Sequence, residues 1–211
     1  MLYIFDWDGT LCDSLAKIVY CTQAAADELG IPRPSEDAVK NIIGLSLRPA
    51  IQQIFPGVSE HDLQALLECY SKHFIADRER GMDFYPGVRE TLDQLHADGH
   101  QLAIATGKSR RGLDRILGDM ELRDYFHSSR CADETQSKPH PQMLSELLDE
   151  FGLDATDAVM IGDTEYDMDM ARQLGMPRIA VSYGAHHIDR LKPFEPLLCL
   201  DRMPELLEWQ S

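Results

Sequence analysis

Positive charge is scarce in this chain of 211 residues, in which 20 Lys and Arg stand against 36 Asp and Glu for a net charge of −16. So acidic a chain repels polyanions, and we expect neither nucleic acid nor an anionic membrane surface as a partner. No apolar run approaches the ~20 residues of a membrane span, and Asp6 and Asp8 come too early for a signal peptide. The five cysteines are scattered without a Cys-x-x-Cys pair, which is typical of a reduced, cytoplasmic protein.

The composition that remains, 44% apolar and 27% charged, is ordinary for a folded soluble domain. The length suits one large domain, or one domain that carries a smaller insert. Residues 14–85 have apolar residues at helical spacing and no strand signal, and are far too many for a loop. We therefore expect a small helical bundle here, inserted after the first strand, with helices over 15–29 and 36–43 and others starting near Arg48 and Ser59.

Residues 86–211 have a different rhythm, in which short apolar runs alternate with amphipathic helices. After the opening run "YIF", the predicted strands are "QLAIATG", residues 126–130, "AVMIGD" and "RIAVSYG". Such alternation predicts a Rossmann-like α/β core, a parallel sheet with helices on both faces, built from residues 1–13 and 86–211.

Three of the predicted strands end in residues that can bind ions. Asp6 and Asp8 end the first, Thr106 the second and Asp163 the fourth. Ligands of open α/β sheets bind beyond the carboxyl ends of the strands, so the fold would gather these residues. With Asp167, four carboxylates would share one crevice and could not all stay ionised without a counter-charge. A hard divalent cation such as Mg²⁺ would supply that charge.

The neighbouring residue types suit a phosphoryl group. Lys138 of "SKPHP" offers a point charge and Thr106 a hydroxyl to phosphoryl oxygens. One carboxylate of "DWDGT" can attack phosphorus to form an acyl phosphate, and the other can protonate the leaving oxygen and later accept a proton from water. We therefore expect a small phosphorylated metabolite as the partner.

Each of these residues, taken singly, also has an ordinary structural explanation. Asp6 and Asp8 fit a polar strand end, Thr106 a helix cap and Lys138 a solvated loop. Two acids four residues apart at a helix start favour the helix dipole without any metal. It is the order of all four motifs along one chain that favours a shared site.

In these motifs, "DWDGT", "ATGKS", "SKPHP" and "GDTEYD", the chain resembles the haloacid dehalogenase-like hydrolase superfamily over nearly its whole length. Residues 14–85 resemble the cap of its phosphoglycolate phosphatase-like branch. The resemblance implies Asp6 as nucleophile and Asp8 as general acid/base. It also implies Mg²⁺ held by Asp6, the Asp8 carbonyl and Asp163, with Asp167 in support, under a cap that closes over the substrate.

The function implied is a phosphatase acting on phosphoglycolate or a sugar phosphate, as a monomer or homodimer. A sugar phosphomutase of the same superfamily needs the same residues, so the motifs do not separate the two. A binding module that had lost its activity would lack one of them, and none is missing. Gly107 and Arg48 are further expected to contact substrate, although an exposed arginine at a helix start fits Arg48 equally well.

For two aromatic residues and two histidines we expect structural roles and no part in substrate or metal binding. Tyr70 and Phe74 share the apolar stripe of the helix after Ser59 with Ile75, which favours a place in the interior of the bundle for all three. His186 and His187 have no third ligand in view, so a loop pair is expected in preference to a metal site.

Overall fold

Side chains on the first strand alternate between two separate apolar clusters. The computed structural model describes residues 1–77 and 80–209. In it Tyr3 and Phe5 of β1 (Leu2–Phe5) pack into one cluster, whereas Leu2 and Ile4 pack into another. Successive side chains of a strand point to opposite faces of the sheet, so β1 is buried on both faces, as in a parallel sheet covered by helices.

The sheet of the described residues has six parallel strands in the order β3-β2-β1-β4-β5-β6. Phe5 at the end of β1 is in register with Ile104 on one side and Ile161 on the other. The chain therefore fills one side of β1 before it crosses to the other, and the strand order reverses between β1 and β4. The other strands are β2 (Gln101–Thr106), β3 (Ser128–Cys131), β4 (Ala158–Gly162), β5 (Arg178–Val181) and β6 (Leu198–Leu200).

Helices cover both faces of this sheet. On the face of Tyr3 and Phe5 lie α5 (Val88–Ala97) and α6 (Arg110–Asp119). On the opposite face, α7 (Gln142–Phe151) and α8 (Glu165–Gln173) bury methionines and leucines against Leu2 and Ile4. The predicted α/β architecture is thereby confirmed. The chain also forms α9 (Ile188–Leu191) and short 3₁₀ helices at Ala155–Asp157, Lys192–Phe194 and Met203–Glu208.

Residues 14–85, here called the helical segment, contain four helices among their described residues. The longest begins where the sequence predicts, since Ser59 Oγ accepts a hydrogen bond from the Asp62 amide at 3.1 Å. The helices bury two apolar clusters of their own, one around Ile18 and Phe74 and the other around Ile51 and Leu66. Their bounds are α1 (Leu15–Glu28), α2 (Glu36–Lys40), α3 (Leu47–Ile54) and α4 (Glu60–Ala76).

The helical segment joins the rest of the chain, here called the core, through two adjacent crossings. The Asp13 amide donates to the Asp83 carbonyl at 2.9 Å, and the Tyr85 amide donates to the Leu11 carbonyl at 2.9 Å. That residues 14–85 form a separate domain stays a prediction. None of the helices that the structure describes has the length and apolar character needed to cross a membrane.

A second connection between the two parts centres on Asn41. Its backbone carbonyl accepts from the Tyr166 hydroxyl at 2.8 Å and lies 3.2 Å from His186 Nε2, and its side chain accepts from Arg190 at 2.8 Å. His186 is 1% exposed and holds the core loop against the helical segment. His187, in contrast, is exposed and caps α9 by accepting from the Asp189 amide.

The structure departs from the sequence prediction at several points. β6 has no counterpart among the predicted strands, because a three-residue run is too short to give a period. Ile75, placed on the buried stripe of α4, is 55% exposed. The predicted strand over 126–130 is present but begins two residues later, at Ser128.

Candidate active site

The carboxyl ends of β1, β2 and β4 meet at one edge of the sheet and carry buried polar residues. Asp6 follows β1, Thr106 ends β2 and Asp163 follows β4, and none of the three is more than 1% exposed. Asp6 and Asp163 thus flank the place between β1 and β4 where the strand order reverses, which is the usual ligand site of an open α/β sheet. The predicted gathering of these residues is confirmed.

Lys138 lies at the centre of this edge and is not a solvated loop residue. Its Nζ donates to Asp6 Oδ1 at 2.7 Å and to Asp167 Oδ1 at 2.6 Å, and its side chain is fully buried. Burial alone would lower the pKa of Lys138, but the carboxylates of Asp167 and Asp6 outweigh burial and raise it. The lysine is therefore held in its charged form between two carboxylates.

Asp6, Asp163 and Asp167 form a buried cluster in which one oxygen from each lies within 4.8 Å of the others. Burial, and then the Asp167 carboxylate, raise the pKa of Asp163 to about 7. Burial likewise raises the pKa of Asp6 well above its ordinary value, against the opposing effect of Lys138. One lysine thus does not balance three carboxylates, and further positive charge is needed for all of them to ionise.

The donor set at this cluster fits a hard divalent cation. All three residues offer carboxylate oxygens, the ligands that such cations prefer. Asp6 Oδ2 is buried and has no hydrogen-bond partner among the described residues. Asp163, in turn, is oriented by the Thr10 hydroxyl at 2.9 Å and by the Ala185 amide at 2.7 Å. The residues present could therefore hold a metal ion.

Two glycines let the backbone approach Asp163. A Cβ at Gly9 would lie 2.2 Å from Asp163 Oδ2, and one at Gly184 would lie 2.1 Å from Asp163 Cβ. Gly9 also has φ +84°, a left-handed conformation that favours glycine. Both positions therefore exclude other residues, which explains the Gly of "DWDGT".

The carboxylate of Asp8 lies apart from this cluster. Its Oδ1 accepts from the Ser14 hydroxyl at 2.5 Å, and its Oδ2 lies 2.8 Å from Lys108 Nζ. Asp8 is therefore not one of the three clustered carboxylates, and the predicted contribution of its carbonyl to a metal site stays a prediction. Sequence reasoning missed Lys108, although its place two residues after Thr106 at the end of β2 was an available signal.

Gly107 lies where the core meets the helical segment, directly after the buried Thr106. Thr106 is fully buried, and its hydroxyl accepts from the Lys108 amide at 3.2 Å, whereas Ser109 is the residue that caps α6. A Cβ at Gly107 would lie 2.6 Å from the carbonyl oxygens of both Gly44 and Leu45. Gly107 is thus a point of close backbone approach between the two parts.

A cavity of about 540 Å³ opens between this edge of the core and the helical segment. Asp6, Asp8 and Gly107 line it on the core side. Arg48 lines it on the opposite side, but its guanidinium pairs with Glu60 on α4. Tyr70 and Phe74 belong to the apolar interior of the helical segment, as predicted, and they also form part of the cavity wall.

Comparison with known proteins fits this geometry. The model of the haloacid dehalogenase-like hydrolases matches residues 3–181, which include all four motifs. The chain belongs to the haloacid dehalogenase-like hydrolase family. The resemblance inferred from the motifs is confirmed.

Relatives of this haloacid dehalogenase-like hydrolase align over almost all of its length. "Probable phosphatase IndB" of Dickeya dadantii (strain 3937) is 36% identical, over 98% of this chain and 91% of the relative. The phosphoglycolate phosphatase of Vibrio parahaemolyticus is 30% identical, over 98% and 94%. The chain thus spans the same extent as these relatives, including the helical segment.

The fold is also that of solved members of the haloacid dehalogenase-like hydrolases. The crystal structure of a predicted phosphoglycolate phosphatase from Haemophilus somnus 129PT superposes with a TM-score of 0.90 at 24% identity, over 98% of this chain and 96% of that one. A haloacid dehalogenase-superfamily hydrolase of subfamily IA from Geobacter sulfurreducens superposes with a TM-score of 0.69 at 25% identity, over 98% and 94%.

Proposed function

We propose that the protein is a Mg²⁺-dependent phosphatase that hydrolyses a small phosphomonoester through a phosphoryl group carried transiently on Asp6. The observation that carries the proposal is the fully buried Lys138, bonded to Asp6 and Asp167 beside a third carboxylate. A buried ion pair contributes little to stability compared with apolar packing, so its presence favours a functional reason. The relatives named as phosphatases support the same activity.

In the first step, a carboxylate oxygen of Asp6 attacks phosphorus. The bond between phosphorus and the ester oxygen breaks, and the leaving alkoxide takes a proton from the Asp8 carboxyl group. The phosphoryl group is then an acyl phosphate on Asp6, and Asp8 is left ionised. Lys108 and Ser14, both bonded to Asp8, hold its carboxylate in place during this transfer.

In the second step, the ionised Asp8 accepts a proton from a water molecule as the water oxygen attacks the same phosphorus. The acyl phosphate bond breaks, inorganic phosphate leaves, and Asp6 and Asp8 return to their initial states. Using Asp8 as acid and then as base requires no other proton carrier.

The remaining residues stabilise and orient the phosphoryl group. Lys138 directs its charge at Asp6, the Thr106 hydroxyl can donate to a phosphoryl oxygen, and the backbone at Gly107 lies beside the cavity. Mg²⁺ held by Asp6, Asp163 and the Asp8 carbonyl, with Asp167 in support, would neutralise the phosphate and the carboxylates together.

The proposal is tested by phosphate release from a panel of phosphomonoesters with Mg²⁺, in the wild type and in Asp6→Asn and Asp8→Asn variants. We expect Asp6→Asn to abolish turnover, because an amide does not attack phosphorus. Asp8→Asn should lower kcat by about 10²-fold or more, the usual worth of a positioned proton donor. Asp13→Asn, an exposed acid in the same stretch, is the matched control and should retain activity.

An active Asp6→Asn variant would rule out the covalent route. Full turnover in EDTA would contradict the proposed requirement for Mg²⁺. We expect excess Ca²⁺ to inhibit turnover, because its looser coordination misplaces the reacting groups. Conversion of a sugar phosphate into its isomer, without release of phosphate, would instead identify a phosphomutase.

A further inference from the structure

The cavity beside Asp6 and Asp8 is lined on its far side by apolar side chains of the helical segment. These come from α1, from the turn before α3, from α3 itself and from α4, so they enclose the space on several sides. Apart from Tyr70 and from Arg48, which is already paired with Glu60, the polar residues of this wall are small. The apolar wall is formed chiefly by Ile18, Ile43, Leu45, Ile51, Phe74 and Ile75.

The cavity is also far larger than a two-carbon acid requires. Its volume of about 540 Å³ lies within the roughly 300–1,000 Å³ of sites that hold drug-sized, mainly apolar ligands. Ala50 and Ile51 line it although each is only 2% exposed. The space therefore reaches past the rim into the apolar interior of the helical segment.

The cations around the cavity lie close to its reactive end or along the core. Lys108 is bonded to Asp8, and its Nζ lies 5.1 Å from the centre of the Phe74 ring. Arg111 and Arg115 are on α6, which belongs to the core. Lys108 thus places positive charge beside Asp8 and the two arginines lie on the core side, whereas the wall formed by the helical segment offers apolar surface to the substrate.

We propose that the substrate is the phosphomonoester of an apolar alcohol, an alkyl or aryl group larger than glycolate, whose body lies against the helical segment. This inference rests on the proposed phosphatase activity and names the substrate class of that same site. An apolar group that leaves water for this wall gains free energy in proportion to the area it buries. A carboxylate against this wall would lose its hydration, because Arg48 is already paired with Glu60 and the arginines of the cavity that form no ion pair among the described residues lie on α6, on the core side.

A series of n-alkyl phosphates tests the inference, because the leaving alcohols have nearly equal acidity while their apolar area grows. From ethyl to butyl to hexyl phosphate we expect kcat/KM to rise by about two- to fourfold for each added methylene. Two polar probes are matched to the hexyl compound, 6-hydroxyhexyl phosphate and 6-phosphonooxyhexanoate. We expect kcat/KM for both probes, and for 2-phosphoglycolate, to be well below the value for hexyl phosphate.

Substitutions in the apolar wall test whether the dependence of kcat/KM on chain length arises there. Ile75 is 55% exposed at the cavity, so Ile75→Asp should fold normally and lower kcat/KM for hexyl phosphate about tenfold while ethyl phosphate changes little. Leu197→Asp is the matched control, since Leu197 is 56% exposed and does not line the cavity. Ala50→Leu fills part of the space and should shift the preferred chain to a shorter one.

The outcomes separate this inference from the proposed function. A flat response to chain length, or a preference for 2-phosphoglycolate or for the hexanoate probe, would overturn the apolar substrate while phosphatase activity stands. Equal losses of kcat/KM for hexyl phosphate in Ile75→Asp and Leu197→Asp would also count against binding of the substrate by the apolar wall. Absence of phosphate release from every compound would overturn the phosphatase and this inference with it.

Discussion

Because Gly107 has no Cβ, the core and the helical segment can approach each other closely at this residue. A Cβ there would lie 2.6 Å from the carbonyl oxygens of Gly44 and Leu45, and backbone atoms do not move aside as a flexible side chain does. In Gly107→Ala the helical segment must therefore shift away from Asp6 and Asp8. We expect kcat/KM to fall by about tenfold to 10²-fold, since displacements near 1 Å have effects of that order.

Gly112→Ala is the control for this substitution. A Cβ at Gly112 would meet only Ser109 Oγ at 3.2 Å and Lys108 Cβ at 3.9 Å, and alanine favours the interior of α6 by up to about 1 kcal/mol. We expect this variant to keep its activity and stability. If thermal unfolding and steady-state kinetics show that Gly107→Ala behaves in the same way, Gly107 is not a spacing residue.

At the scale of the element, α6 directs two unpaired arginines toward the cavity. Arg110 pairs with Asp114 and Glu134, whereas Arg111 and Arg115, one helical turn apart, make no ion pair with any residue that the structure describes. Unpaired cations on so acidic a protein are suited to attract a phosphate dianion. We expect Arg111→Ala/Arg115→Ala to raise KM several-fold, with a smaller change in kcat, and to weaken the dependence of kcat/KM on salt.

The control for the α6 variant is Arg123→Ala/Arg202→Ala. It removes the same two charges from exposed positions of the core that do not line the cavity. Similar effects of both double variants on KM would assign the change to overall charge and not to α6.

The elements themselves were predictable to different degrees. Four strands and the long helices carry enough apolar residues to be recognised, and they lie close to where the sequence places them, whereas β3, with the sequence SSRC, gives only a weak signal. β6 could not be predicted, because its pairing with β5 depends on the sheet already being formed. Ile75 was misassigned because helical spacing cannot tell an apolar residue that faces a packed interior from one that faces a cavity.

The candidate site was predictable as a set of residues but not as a set of contacts. Parallel topology alone brings Asp6, Thr106 and Asp163 to one edge, so their order along the chain was sufficient. That Lys138 contacts both Asp6 and Asp167 depends on how its loop folds back. The pair formed by Lys108 and Asp8 and the apolar wall of the cavity likewise arise from tertiary packing, which no local pattern encodes.

At the scale of the whole molecule, the clustered carboxylates connect metal binding to stability. If Mg²⁺ binds the folded chain alone, a concentration 100 times Kd adds about 2.7 kcal/mol to the free energy of unfolding. For a chain of this size that corresponds to a rise in Tm of roughly 5–10 °C. In Asp163→Asn one repelling carboxylate is gone, while the amide can still accept from Ala185 and donate to Thr10. We therefore expect its metal-free Tm to equal or exceed that of the wild type, and the response to Mg²⁺ to be lost.

Calorimetry in EDTA and in Mg²⁺ measures both quantities. Asp169→Asn, on the same helix as Asp167 but outside the cluster, serves as the control and should respond to Mg²⁺ like the wild type. A wild-type Tm that does not change with Mg²⁺ would contradict a metal site at these residues.

The origin of the two cavity walls has a consequence for how such a protein can evolve. The clustered carboxylates, Asp8 and Lys138 come from residues 1–13 and 86–211, whereas the apolar wall comes from α1, α3, α4 and the turn before α3. Mutations in the helical segment can therefore alter which alcohol is accepted while the carboxylates stay in place. Natural selection can act on substrate choice and on turnover through different stretches of one gene, so a new substrate need not be gained at the expense of the chemistry.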